Sequence, residues 1–278
     1  METTVSISAA DVNKLRQQTG AGMMDCKKAL TEANGDFEKA IDYLRKKGQK
    51  VALNRSDRDA KEGFVFGTTN DNANAGAIIS LNCETDFVAK NEAFIQYGTD
   101  LLNLVLNNKI QTIDNLLETD FNGMKVKDSL FEQIGKIGEK LEVSRIEFVE
   151  SASVTVYNHP GNRLTSLIAF NQQVDAEMAK DVAMQAAAMA PVAIDKDDVS
   201  TEMLEREMDI ARDQARQEGK PEDMVEKIAA GKVNKFYKES TLLNQNFIKD
   251  DKKTIRQLLE ENNKDLKVVS MKRVQLAS

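Results

Sequence analysis

Two stretches of this chain follow one plan: two strand-like runs joined by a turn, then a helix-like run. In the first, Gly63 to Thr69 and Gly76 to Asn82 flank the turn from Asn70 to Ala75. Helical spacing follows at about 91–108 and 125–138, with Ile134 and Ile137 at core positions. In the second, Arg145 to Tyr157 and Arg163 to Phe170 flank the turn from Asn158 to Asn162. An Ala- and Met-rich helix then covers 175–189, and Pro191 stops it. Hairpins followed by helices, twice over, predict an α+β core of two halves with antiparallel sheets.

Residues 1–55 read as a separate three-helix unit. Ser8 with Asp11 three residues on is a capping-box start, with Val12 and Leu15 on one face. Cys26, Ala29, Leu30 and Ala33 stripe a second helix, which Asn34-Gly35 ends. Asp36 can cap a third, striped by Phe37, Ala40, Ile41 and Leu44. Met23 and Met24 cannot both face so small a core, so one is expected on the surface, where Met suits an adaptable contact. Gly20-Ala21-Gly22 is not a phosphate loop: no strand precedes it, and no Gly-Lys-Ser/Thr ending follows. Arg45 to Arg55 holds five basic residues and no acid. It reads as a tether or a solvated helix end, or else as a contact for an acidic partner.

Ser200 caps a helix running to Glu218 whose seam is Leu204, Met208, Ala211 and Ala215. Gly219-Lys220-Pro221 stops it, and Met224, Val225, Ile228 and Ala229 supply a return helix. Twelve acids against five bases lie between Asp195 and Glu226. A seam this thin predicts a projecting hairpin, either an ordinary surface feature or a dimerisation arm. The chain returns through Phe236, Leu242, Leu243 and Phe247, then a helix near Ile255–Glu261 and a closing strand from Leu266 to Val274. The expected division is 1–55, 56–145, 146–190 with 236–278, and the hairpin at 191–235.

Composition removes whole classes of function. A net charge of −7, 5% aromatics and no Trp leave no footprint for nucleic acid. No apolar run approaches the roughly 20 residues of a membrane span. The opening Met1 to Thr4 is polar and is no secretory signal, so a cytoplasmic protein is expected. One His and two scattered Cys exclude a zinc site and leave Cys83 without a base, since His159 sits alone in its turn. No catalytic residue, metal or cofactor is expected, and the chain is not read as an enzyme.

The informative junction is Asn82-Cys83-Glu84-Thr85-Asp86-Phe87-Val88-Ala89-Lys90, where a strand gives way to a helix. Turn positions favour Gly, Asn, Asp, Ser and Pro, so Phe87 there is unusual. It either tucks under the helix as core or stands out as an apolar wedge beside Asp86, a shape for prying a partner apart.

This junction, together with Leu15 to Leu30 and Glu32-Ala33-Asn34-Gly35-Asp36, resembles the elongation factor Ts family. Gly219-Lys220-Pro221 to Lys235-Phe236 and Leu243-Asn244-Gln245-Asn246-Phe247 add a weaker likeness. The resemblance implies a guanine-nucleotide exchange factor for elongation factor Tu. It implies a ubiquitin-associated-like N-terminal domain docking through Arg16, Met23 and Met24. Thr85, Asp86, Phe87 and Val88 match the family's exchange element, which disturbs the GTPase's magnesium and phosphate site. Ile137 and Gly138 match further contacts with the GTPase domain, and His159 and Ile248 contacts with another domain. The hairpin matches the family's dimerisation element, which implies a homodimer. Leu164-Thr165-Ser166 departs from the family, which usually has a Gly after the apolar residue, and a C-terminal module found in some members is expected to be missing. A helix- or ubiquitin-like-binding adaptor without exchange activity is the competing reading, and it would not need Asp86 and Phe87.

Overall fold

A computed structural model describes residues 7–276. Met1 to Thr4, read above as a polar opening, lie outside them. The chain begins α1 (Ala9–Thr19), α2 (Met23–Glu32), α3 (Phe37–Asn54), β1 (Glu62–Thr69), β2 (Ala75–Cys83), α4 (Asp86–Ala89) and α5 (Glu92–Asn108). It continues through α6 (Ile113–Leu117), β3 (Asp120–Phe121), β4 (Met124–Lys125), α7 (Val126–Ile137), β5 (Glu142–Glu150), β6 (Ser153–Asn158) and β7 (Leu164–Phe170). The last elements are α8 (Ala176–Met189), α9 (Thr201–Gln217), α10 (Glu222–Ser240), β8 (Asn246–Phe247), β9 (Asp250–Thr254), α11 (Ile255–Asn262) and β10 (Val268–Gln275). The class is α+β, with two three-stranded sheets of order β1-β2-β5 and β10-β7-β6.

The chain forms two compact units. One comprises Met1–Phe66, Ile79–Glu147 and Gln275–Ser278, and the other Gly67–Ile78 and Phe148–Val274.

In the first unit the three N-terminal helices form where local chemistry places them. Ser8 and Asp11 complete a capping box, Gly20 closes α1 in the left-handed region at φ 67°, and Asp36 caps α3 through the Lys39 N–H. Val12, Leu15, Cys26, Ala29, Leu30 and Ala40 are buried, with Phe37, Ile41 and Leu44 packed against them. The basic run is neither tether nor loose end. α3 continues through it to Asn54 and packs on α7, where Gly48 and Gly135 face each other. A Cβ on Gly48 would collide with the Phe131 carbonyl, and one on Gly135 would come 3.0 Å from the Gly48 Cα. Three of its five basic side chains meet acids of this same chain: Arg45 with Glu132 at 2.9 Å, Lys47 with Asp25, and Arg55 with Glu84 at 2.7 Å.

In the second unit β6 and β7 pair antiparallel without a break, from Ser153 opposite Phe170 to Asn158 opposite Thr165. Thr165 and Ser166 are fully buried in this regular ladder. Thr165 Oγ1 donates to Asn158 Oδ1 at 2.8 Å, and Ser166 Oγ to the Ala183 carbonyl at 2.6 Å. The run expected as one strand from Arg145 to Tyr157 is two, β5 and β6. They part at Ser151-Ala152 because the Ser151 and Val154 N–H groups turn to the carbonyls of Asn74 and Ala73. Ile168, Phe170, Val182, Leu242, Phe247, Ile255 and Leu259 form the core. Ser200 caps α9 through the Met203 N–H, as expected. α10 runs on past position 235 to Ser240, because nothing between Gly231 and Ser240 breaks a helix.

Candidate partner-binding site

β2 ends at Cys83, and two residues later Thr85 caps the single turn of α4. The Thr85 side chain accepts from the Val88 N–H at 3.4 Å. Four residues cannot sustain a helix by themselves, because nucleation is unfavourable until several turns have formed. The turn is therefore held from outside. The Glu84 and Thr85 N–H groups donate to Glu139 Oε2 at 3.1 and 3.0 Å, and Thr85 Oγ1 donates to Glu139 Oε1 at 2.7 Å. The exchange is reciprocal: the Lys140 N–H donates to Glu84 Oε1 at 2.6 Å. Arg55 and Arg58 complete the Glu84 carboxylate at 2.7 and 3.1 Å. Only 12% of the Glu84 side chain is exposed. Burial pushes its carboxyl up, but the Lys140 N–H and the two guanidiniums outweigh burial and hold it below the ordinary glutamate range.

On this support Phe87 is 84% exposed, so of the two orientations left open by the sequence the outward one is observed. Val88 and Ala89 of α4 are half-buried, while the Phe87 ring stands outward. Asp86 beside it is exposed. Lys90 Nζ lies 2.6 Å from its carboxylate and holds the carboxyl below its ordinary range. Cys83 beneath the turn is no nucleophile. Burial, then the Glu139 charge, push its thiol up to about 12, and Sγ donates to the Thr85 carbonyl at 3.2 Å.

Through Glu139 the structure brings the turn at Thr85 to Val88 close to Ile137-Gly138. Half-buried Ile137 ends α7, and Gly138 closes it at φ 78° with open space where a Cβ would stand. The next residue is Glu139, which holds Thr85. Arg16 is exposed on α1. Met23 and Met24 are both exposed, Met24 at 77%, because they fill the first turn of α2 before its buried stripe begins. The expectation of one exposed Met holds, and the second is exposed as well.

In the second unit His159 is exposed after β6, with its Nδ1 3.2 Å from the Tyr157 hydroxyl. Ile248 is exposed in the β8–β9 turn, and its N–H donates to Gln185 Oε1 at 2.9 Å. Gln185 is fully buried, and its Nε2 donates to Gln245 Oε1 and the Asn246 carbonyl, both at 3.1 Å. Of the hairpin seam, Ala211 and Ala215 are buried, as are Val225, Ala229 and Val233 of α10. The hairpin closes on these small residues itself. Leu204 and Met208 are half-buried, while Met203, Ile210 and Met224 are exposed.

Sequence reasoning missed Glu84, Glu139, Arg55, Arg58 and the Gln185–Gln245 pair. The only signal was the adjacency of Glu139 to Ile137-Gly138. Among the described residues there is no cluster of His, Cys, Asp and Glu able to hold a metal ion, and no helix is long and apolar enough to cross a membrane.

The family model described as Elongation factor TS matches residues 84–278, beginning at this turn. The chain belongs to the elongation factor Ts family. It is 48% identical over 273 residues to elongation factor Ts of Flavobacterium psychrophilum, covering 98% of this chain and 99% of that one. It is 50% identical over 273 residues to that of Amoebophilus asiaticus (97% and 99%), and 45% to that of Porphyromonas gingivalis (98% and 99%). The elongation factor Ts relatives thus align with nearly the whole chain, from the N-terminal helices through the Phe87 turn to the hairpin.

Proposed function

We propose that this chain releases GDP from elongation factor Tu by presenting Phe87, with Asp86 beside it, to the GTPase's magnesium and phosphate site. The observation that carries the reading is an aromatic ring standing in solvent on a turn fixed by six hydrogen bonds and ion pairs to Glu84 and Glu139. A ring held outward has already met its ordering cost and gains its burial on contact. Burying one Phe supplies about 1.5–3 kcal/mol. Each tenfold faster release needs about 1.4 kcal/mol, so a thousandfold gain of roughly 4 kcal/mol exceeds what one ring gives. Flanking surfaces supply the rest: Arg16, Met23 and Met24 of the N-terminal docking domain, Ile137 and Gly138 beside the turn, and His159 and Ile248 against another domain of the GTPase. The factor favours the nucleotide-free GTPase, so by reciprocity nucleotide weakens the factor's grip and lets it cycle. It makes and breaks no covalent bond. The hairpin mediates homodimerisation, with Leu204 and Met208 and their exposed neighbours as the contact, since Ala211 and Ala215 are closed over within the chain.

The test is release of labelled GDP from elongation factor Tu with and without this protein. Acceleration that saturates with the factor is expected. No acceleration at saturating, bound factor would reduce the chain to an adaptor.

A further inference from the structure

We propose that Glu139 is a positioning residue for the Phe87 turn, acting through Thr85, and that Glu84 with Arg55 and Arg58 completes the device. Three observations carry it. First, all the donors Glu139 accepts belong to residues 84 and 85, and none belongs to a packed core. Second, two of the three fix Thr85, the cap of a four-residue helix that cannot hold itself. The Thr85 hydroxyl donates to Glu139, which turns its lone pairs toward the Val88 N–H it must cap. Third, the strapping is mutual: the segment 84–85 lends a carboxylate to the backbone at 140, and 139 lends one to the backbone at 84 and 85. Two carboxylates so near each other repel, and Arg55 and Arg58 on Glu84 offset that repulsion. Without Glu139, two backbone N–H groups at the strand end lose their partners and Thr85 loses its orientation. Phe87 would then sample many directions, and the cost of ordering it would fall on the docking step.

The chain has no Trp, so Phe87→Trp places a single indole on the turn. In the free Phe87→Trp protein, time-resolved anisotropy should show an indole moving with the whole molecule. Adding Glu139→Ala should introduce a dominant nanosecond component. Glu139→Gln should largely remove it, because the amide oxygen can take both backbone N–H groups and the NH2 can donate to Thr85 Oγ1. In the Phe87 background, Glu139→Ala should lower GDP release at saturating factor by about tenfold or more while half-saturation moves less. Unchanged anisotropy, or equal losses in Glu139→Ala and Glu139→Gln, would overturn the inference. Should Glu139→Ala fail to fold, Thr85→Ala must loosen the indole in its place, and a rigid indole there overturns the inference equally. The activity arm rests on the exchange reading. An ineffective Phe87→Ala removes that reading and leaves the anisotropy result to stand or fall alone. An effective Phe87→Ala with an unaffected Glu139→Ala removes the positioning inference only.

Discussion

The Phe87 turn and the helical hairpin both expose apolar side chains, but they hold them in opposite ways. Phe87 rides on a turn too short to be a helix, yet charge-assisted bonds from residues more than fifty positions away fix it. Met203, Ile210 and Met224 ride on two long, regular helices joined by a seam of alanines and valines. The ion pairs there are exposed ones, Arg212 with Glu226 and Arg216 with Glu222, which solvent screens to little net effect. A rigid aromatic suits a single defined task. Methionines on a thinly packed hairpin suit a contact of modest affinity that can adapt.

The contrast breaks first at Phe87. Phe87→Ala should leave the melting temperature almost unchanged, because the ring buries little in the free protein, while stimulated GDP release falls at least tenfold for about 1.5–3 kcal/mol of lost burial. Circular dichroism and stopped-flow release check both halves, and a folded variant of full activity would take the wedge out of the mechanism. Next come two helix glycines. Gly48→Ala should destabilise by about 1–3 kcal/mol, since α3 must lift from α7. Gly231→Ala, with open space around it in α10, should stabilise by about 0.5–1 kcal/mol. Urea titrations of the two proteins should move in opposite directions.

Docking and association should show smaller effects. Met23→Ala with Met24→Ala should raise the half-saturating concentration several-fold, on the order of 1–2 kcal/mol, and keep the maximal rate. A lost maximal rate would instead place these residues in the exchange step. Deleting residues 1–55 is the poorer experiment, because it strips α3 from α7 and Arg55 from Glu84. Met203→Glu with Ile210→Glu should shift sedimentation toward monomer and leave exchange intact. An unchanged dimer would place the interface elsewhere, and a monomeric parent protein would leave the hairpin a surface feature.

The smallest effect is on acid stability. Glu84 is held below the ordinary glutamate pKa of 4.5, so its contribution is complete above 4.5 and disappears as pH falls through its lowered folded value. Glu84→Gln should flatten the fall of melting temperature in that window. Glu222→Gln on the hairpin, whose carboxyl Arg216 also lowers, should leave the curve unchanged, because that pair is fully solvated.

Most of the fold was legible because its determinants are local. Ser8, Asp36, Ser200 and Gly219 announce their helix ends within a few residues, and the turns at 70–75 and 158–162 announce their hairpins. The exposed Phe87 was visible as an anomaly whose direction the sequence left open. What supports it was not legible. A carboxylate at 139 pairing with backbone at 84 and 85 leaves no periodicity to read, and neither does the buried Gln185–Gln245 pair. The basic run from Arg45 hid α3's second half for a related reason. Its inward position is a glycine, Gly48, which a hydrophobic stripe skips over, although close helix crossing requires it.

α10 runs unbroken from Glu222 to Ser240, and Leu242, two residues on, is fully buried in the second unit's core. At about 1.5 Å per residue, its 19 residues make an arm of roughly 28 Å. No glycine or proline lies between Lys232 and its root. Such an arm is a cantilever: it stores load by bending along its length and transmits torque to the clamped end. A rotation of about 10° at the root would swing the tip by roughly 5 Å over that length. A partner gripping the tip would thus apply its greatest moment at Thr241 and Leu242.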